Sequence, residues 1–267
     1  MHNMKKKRIA VLGCGIMGTI LLDILSKIDN SFEIFAFDSN PKKVSEIKKK
    51  FKKINVSGGI SSIKFCDVIF LAIKPQDFKN LNLNLSKNTL VISIMAGVSM
   101  KVIENKLGVK KVIRAMPNIP AKIRKGFIGW TCTKIVSTKE KQFIEKVFSA
   151  MGQTMYLNND DGIDKITALS GSGPAYIFYA VSCFVDSAIS LGIKKEDAKK
   201  IILSTVKGSI DMIDKNTDLS LLVKNVTSKG GTTEAALEIF EKYKTKEVWE
   251  KAIKNAYKKA KELSKKI

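Results

Sequence analysis

The sequence predicts an α/β protein: an N-terminal doubly wound, Rossmann-type dinucleotide-binding domain over residues 1–158, then an all-α helical dimerisation domain over residues 159–267. Three observations predict it. The first half alternates short apolar runs with amphipathic stretches, a glycine fingerprint follows the first apolar run, and from about Asp160 only long helical periods remain. At 267 residues with 45% hydrophobic content, the chain is long enough to bury a core in each half.

Ile9–Leu12, Phe32–Phe37, Val68–Ile73, Leu90–Ile94 and Val112–Met116 are apolar on both faces, as strands of a parallel sheet must be. Between them, Met17–Lys27, Pro41–Phe51, Asp77–Leu81 and Met100–Leu107 carry helical periodicity, and pieces near Gly126–Cys132 and Lys139–Met151 complete the sheet. The second half reads as helices over Ala175–Leu191, Lys195–Asp214, Leu219–Val226, Thr232–Phe240 and Val248–Leu263. Ala175–Leu191 is apolar around most of its circumference and so requires burial on all sides. A domain of roughly 110 residues achieves that most readily against a second copy of itself, which predicts a homodimer; a helix at the centre of its own bundle is the alternative.

The formal charge of +22 suggests a phosphate-rich partner, but its distribution argues against one. Arginine occurs only at Arg8, Arg114 and Arg124, and the lysines are scattered among acidic residues along the whole chain, the pattern of a solvated surface rather than a nucleic-acid footprint. Cys14, Cys66, Cys132 and Cys183 lack metal-ligand spacing, and the only histidine is His2, so neither a zinc site nor a disulfide framework is expected. The cysteines read as small buried hydrophobes in a reducing, cytoplasmic compartment. Lys5–Arg8 followed by Ile9–Leu12 begins like a secretory signal, but glycines interrupt the apolar run and no cleavage pattern follows. Ala175–Leu191 contains Asp186 and is short for a membrane span, so burial against protein is expected.

Gly13-Cys14-Gly15-Ile16-Met17-Gly18 follows a strand and opens a helix, the context a dinucleotide fingerprint needs. Gly13 serves a tight turn, Gly15 leaves room for a pyrophosphate, Gly18 lets helix and strand pack closely, and the amides around Ile16 and Met17 face the phosphates. Asp38 stands 20 residues beyond Gly18, where a carboxylate can accept hydrogen bonds from an adenosine ribose and favour NADH. Ser39, Asn40, Lys42 and Lys43 follow and suit the 2′-phosphate of NADPH, while an Asp before Pro41 is also an ordinary turn residue; all three readings stay open. Three more loops end strands at the same edge of the sheet and outline a cleft: Ala72-Ile73-Lys74-Pro75, Ser93–Gly97 with Ala96 and Gly97, and Met116–Pro120 with Asn118.

In the helical half, Ser170-Gly171-Ser172-Gly173-Pro174 and Asn225–Thr233 are glycine-rich loops feeding helices, able to bind an anion on free amides or simply to cap. Leu222, Val226-Thr227-Ser228, Gly230-Gly231, Thr233, Ala236-Leu237 and Phe240-Glu241 together resemble the signature of the pyrroline-5-carboxylate reductases. The glycine fingerprint, Ala72–Pro75, Ala96-Gly97, Arg114–Asn118 and Ser170–Tyr176 are similar to that family in order and spacing, so the resemblance spans essentially the whole chain. Two positions depart from it: Ile119 stands where the family usually has Thr or Ser, and Lys229 where it often has Pro.

The resemblance implies reduction of the cyclic imine 1-pyrroline-5-carboxylate to L-proline by NADPH or NADH, with no metal. It implies that Asn225, Gly230, Gly231, Thr232 and Thr233 bind the small-molecule substrate, with Thr233 at the ring nitrogen as the catalytic position. It further implies a dimer through the helical domain, further assembly of dimers, and sites formed between the domains with help from the partner subunit. The rivals are a related reductase of another small carboxylic acid, a non-catalytic dinucleotide-binding regulator, and a basic nucleic-acid-binding protein. The first of these generally needs a lysine acid with its own surrounding motif, which Lys165 lacks.

Overall fold

A computed structural model describes the chain apart from residues 1–5, 30, 58, 266 and 267, so His2 lies outside the described residues. It divides into two compact units: Met1–Ser172 with Ala256–Ile267, and Gly173–Asn255.

The first unit is built on eight strands: β1 (Arg8–Leu12), β2 (Glu33–Phe37), β3 (Asn55–Ser57), β4 (Val68–Leu71), β5 (Leu90–Ser93), β6 (Lys111–Met116), β7 (Gly126–Cys132) and β8 (Gly152–Tyr156). They lie in the order β3-β2-β1-β4-β5-β6-β7-β8. All neighbours are parallel except β6 and β7. The order reverses between β1 and β4, and Leu12 is in register with both Phe37 and Leu71. The loops that leave β1, β2 and β4 therefore start side by side, at the switch point where open α/β sheets bind ligands.

Side-chain alternation makes two cores from one sheet. Ile9 and Val11 of β1 pack on one face with Leu21 and Leu25 of α1 (Ile16–Ile28) and with Val147 and Phe148 of α5 (Thr138–Ser149). Ala10 and Leu12 pack on the other face with Phe78 of α3 (Pro75–Lys79) and with Ile103 and Leu107 of α4 (Met100–Leu107). Between β2 and β3 runs α2 (Pro41–Lys50), which Asn40 caps by accepting from the Lys42 amide at 2.9 Å.

One sequence expectation needs correction here, and one strand is new. The stretch Lys139–Met151 is not a strand but the helix α5, started by a full capping box between Ser137 and Glu140; β8 after it completes the sheet. The edge strand β3 escapes a periodicity search because it has only three residues, none of them buried.

A buried ion cluster ties the sheet to α6 (Asp160–Ile166). Arg114 of β6 has no solvent exposure, and its guanidinium donates to Asp160 at 2.9 Å and Asp164 at 2.6 Å. The Asp160 carboxylate also accepts from the Met100 amide at the start of α4. The last turns of α11 (Thr245–Lys265) join the same neighbourhood, since the Tyr257 hydroxyl donates to Asp161, and Lys261 lies 3.4 Å from that carboxylate.

The Tyr257 hydroxyl first, and then Lys165, hold the Asp161 carboxyl down at about 2. Its ordinary value is near 3.9, so this contact contributes stability above about pH 4 that is lost as pH falls toward 2. Acid unfolding followed by circular dichroism is expected to show a loss over that interval in the wild type. The same loss should be absent from Asp161→Asn; identical acid limbs would refute the assignment.

The second unit holds α7 (Gly173–Ser190), α8 (Lys195–Asp211), α9 (Leu219–Asn225), α10 (Thr232–Lys242) and most of α11. Ser170–Pro174 is not a loop as the sequence suggested: residues Thr167–Gly171 form a π-helical turn, closed by the Ser172 amide on the Thr167 carbonyl at 2.9 Å, and α7 follows at Gly173. Residues Asp160–Ser190 form a helical run long and apolar enough, by length and composition alone, to cross a membrane.

The expectation that α7 is buried does not hold within one chain. Only Ala188 of α7 is buried, whereas Phe178 is 63% and Tyr179 72% exposed. The buried core of this unit reduces to Ala188, Ala198 and Ile202 among the described residues. Cys183 of α7 is likewise exposed and Cys132 only half-buried, so of the four cysteines only Cys14 and Cys66 are the buried hydrophobes the sequence suggested.

Candidate active site

The glycine turn is shaped by close contacts. Gly13 sits at φ +98°, and a Cβ there would fall 2.5 Å from the Ala72 carbonyl oxygen. A Cβ on Gly18 would meet the Gly13 carbonyl at 1.8 Å, so helix and turn touch backbone to backbone. Gly15 differs, because a Cβ there would meet nothing within 4 Å. Gly15 is also the N-cap of α1, whose first turn has no acidic side chain and whose ladder begins with Thr19 N–H on the Gly15 carbonyl at 2.9 Å. The amides of Ile16, Met17 and Gly18 thus precede the helical ladder beside open space, an arrangement that fits a pyrophosphate.

A cleft of about 620 Å³ opens along this edge. Of the residues expected at the cofactor, Gly13, Gly15, Asp38, Ser39, Ala72, Ile73 and Lys74 line it. Pro75 is the first residue of α3, with Lys74 as its N-cap. Ile16 is 60% exposed and lines an adjoining groove instead, while Met17 packs on the core. Gly97 has a different neighbour: at φ +67° it allows Leu263 of α11 to approach so closely that a Cβ would fall 2.4 Å from the leucine Cβ, and half-buried Ala96 precedes it. Asn118 uses its amide to join loops, donating to Ser170 Oγ at 3.0 Å and accepting from the Phe127 amide at 2.9 Å. Neither Ala96, Gly97 nor Asn118 lines the cleft.

Sequence reasoning missed Gly59, Ile60, Asp77 and Asn80 as cleft residues. Gly59 and Ile60 follow the short strand β3, so nothing local marks them; Asp77 and Asn80 lie on and just after α3, beyond the Ala72–Pro75 loop.

Asp38 is held from two sides, its Oδ2 accepting from the Cys14 amide at 2.7 Å and its Oδ1 from the Asn40 amide at 2.8 Å. Burial, and next the Asp38 charge, push the Cys14 thiol up to about 12, so it stays protonated and inert beside the turn.

In the helical unit, Asn225 ends α9 and is exposed. The connection to α10 folds back on itself. Gly230, at φ +70°, donates its amide to Glu234 Oε2 at 2.6 Å, and Gly231 donates to the Ser228 carbonyl at 3.0 Å. Glu234 is therefore the loop's own brace, a role set by the fold-back of the chain on the first turn of α10. The amides of Thr232 and Thr233 precede the first rung of α10, which is Ala235 N–H on the Gly231 carbonyl at 3.2 Å. Of the four amides expected to grip an anion, two are thus engaged within the loop and two point out of the helix start, with the Thr233 side chain half-buried beside them.

Comparison with known proteins agrees with both halves. A family described as pyrroline-5-carboxylate reductase dimerisation matches residues 160–263, and one described as NADP oxidoreductase, coenzyme F420-dependent, matches residues 8–97. The pyrroline-5-carboxylate reductase of Haemophilus influenzae is 32% identical over 249 residues, covering 89% of this chain and 90% of that protein. That of Pseudomonas aeruginosa is 31% identical, covering 99% of each. Among solved structures, the Plasmodium falciparum enzyme with NADP bound superposes at TM-score 0.84 with 26% identity, covering 98% of this chain and all of that one. The Streptococcus pyogenes enzyme superposes at TM-score 0.87 with 25% identity, covering 96% and 98%. With the fingerprint turn, the braced α9–α10 loop and near-complete alignment all in agreement, this chain belongs to the pyrroline-5-carboxylate reductase family.

Proposed function

We propose that this chain reduces 1-pyrroline-5-carboxylate to L-proline with a reduced nicotinamide dinucleotide, the last step of proline biosynthesis. The observation that carries the reading is the braced loop before α10, which leaves the Thr232 and Thr233 amides at a helix start free of a ladder partner. There the substrate carboxylate is gripped by these two amides, and Asn225 contributes to the same pocket. Thr233 Oγ hydrogen-bonds the ring nitrogen and sets the orientation of the C=N bond. A protonated imine is already electrophilic, so positioning does most of the work, and an unassisted threonine is too weak an acid to be the main proton source. The open space at Gly15 and the amides of Ile16 and Met17 hold the pyrophosphate, with Ala72 to Lys74 along the cleft floor. When bound, the dinucleotide supplies the hydride.

Thr233→Ala is expected to lower kcat about tenfold, the effect of one lost orienting hydrogen bond, with NADH affinity unchanged. Steady-state assay with 1-pyrroline-5-carboxylate checks it, and kcat and KM both at wild-type values would remove Thr233 from the site.

The uncovered apolar face of α7 supports a homodimer through the helical unit, with higher assembly from dimers. A second copy of this chain, rather than lipid or nucleic acid, is the partner, since Asp186 lies within the apolar helix and Arg114 holds the acidic start of the run. Sedimentation equilibrium is expected to give a multiple of the 29.6 kDa chain mass; a monomer at micromolar concentration would reject the proposal. The exposed Cys183 and the protonated Cys14 thiol suit a reducing, cytoplasmic compartment.

A further inference from the structure

Resting on the reductase reading, we infer that this chain takes NADH in preference to NADPH, and that Asp38, with Lys43 neutralised by Glu46, sets the choice. The two cofactors differ only in a phosphate on the adenosine ribose, so the charge at the end of β2 decides between them. Asp38 lines the cleft there, and backbone amides from two different loops fix its carboxylate, one on each oxygen. Each oxygen keeps a second lone pair for a ribose hydroxyl, while a 2′-phosphate at the same place meets a fixed negative charge.

Among the described residues, Lys74 is the only cation lining this cleft, and Lys42 is exposed and lies outside the lining. The charged lining consists of Asp38, Asp77 and Lys74. Lys74 follows β4, two strands away from β2, which by strand spacing is about 10 Å. Ser39 offers a hydroxyl, but Gly59 and Ile60 on the facing wall offer no polar side chain. Lys43 is close enough to influence Asp38 electrostatically, yet its ammonium is 2.6 Å from Glu46 Oε2, and both residues line the adjoining groove rather than this cleft. With the exposed Lys42 outside the lining, Asp38, Lys43 and Glu46 leave one net negative charge beside the cleft where NADPH would bring about two more.

Fluorescence titration of the purified protein with NADH and with NADPH, in the absence of imine, tests this. NADH is expected to bind at least tenfold more tightly, and the same ratio should hold for kcat/KM. Glu46→Gln releases Lys43 and is expected to tighten NADPH severalfold with little change for NADH, and Asp38→Asn should bring the two dissociation constants within about threefold of each other. NADPH binding as tightly as NADH to the wild type would overturn the inference while leaving the reductase reading intact. A preference for NADH that neither variant alters would overturn the roles of Asp38 and Glu46. Failure of both cofactors to bind would instead bring down the reductase reading itself.

Discussion

Gly13→Val is expected to raise the dissociation constant for the dinucleotide more than about 100-fold, corresponding to at least 2.7 kcal/mol. The reason is local and steric. At φ +98° a β-branched side chain is strained, and its Cβ would overlap the Ala72 carbonyl at 2.5 Å. Relief requires the turn to move away from β4, where the Ala72 amide bonds the Leu12 carbonyl at 2.8 Å. The Cys14 amide would then be pulled from Asp38, and the turn that positions the α1 amides would be lost. Stability falls together with binding in this variant, so a companion is needed. Gly15→Ala adds a methyl group to open space and should leave the melting temperature within a degree or two, while weakening cofactor binding about tenfold, because the methyl occupies the room left for the pyrophosphate. Calorimetric melting with cofactor titration separates the two effects. Wild-type affinity in Gly15→Ala would mean that the pyrophosphate lies elsewhere.

Arg114→Met should be the most destabilising single change in the first unit. It keeps an unbranched apolar stem but removes the guanidinium, leaving Asp164, only 5% exposed, and the partly buried Asp160 without their cation. Breaking a buried ion pair from one side costs about 3–5 kcal/mol, because the remaining carboxylates stay desolvated and uncompensated. For a unit of this size that corresponds to a fall in melting temperature of roughly 6–20 °C. Replacing Asp164 by Leu in the same protein removes the more buried orphan charge and is expected to recover part of the loss, as apolar replacements of buried pairs often do. Differential scanning calorimetry of the single and double variants measures both. A loss below about 1 kcal/mol for Arg114→Met would show that water or local rearrangement satisfies the aspartates. The cluster also explains why α11, far along the chain, returns to the first unit: Tyr257 and Lys261 converge on Asp161, beside the aspartates that Arg114 holds.

Much of the architecture could be read from the chain because it is governed by local periodicity. The five inner strands of the parallel sheet are apolar runs whose ends in the sequence lie within two residues of those in the structure, and the period of α4 matches Met100–Leu107. The fingerprint glycines were identifiable for the same reason, since each answers a local steric demand that any Rossmann turn imposes. Elements too short or too polar for a period were not: β3 is three residues long, and the glycine-rich run before α7 hid a π turn that depends on a hydrogen bond five residues apart.

What the sequence by itself determined was the fold class, the position of the dinucleotide turn and the family signature around Gly230–Thr233, all carried by residues near one another in the chain. What only the tertiary structure decided were pairings across long separations. Arg114 reads as part of a motif in the chain but acts as the buried partner of Asp160 and Asp164. Gly97 reads as a cleft residue but makes room for Leu263. Asp38, open to three readings, proves to be clamped by the Cys14 and Asn40 amides. Such roles depend on which distant groups converge after folding, because hydrogen bonds and close contacts act over a few ångströms of space irrespective of separation along the chain.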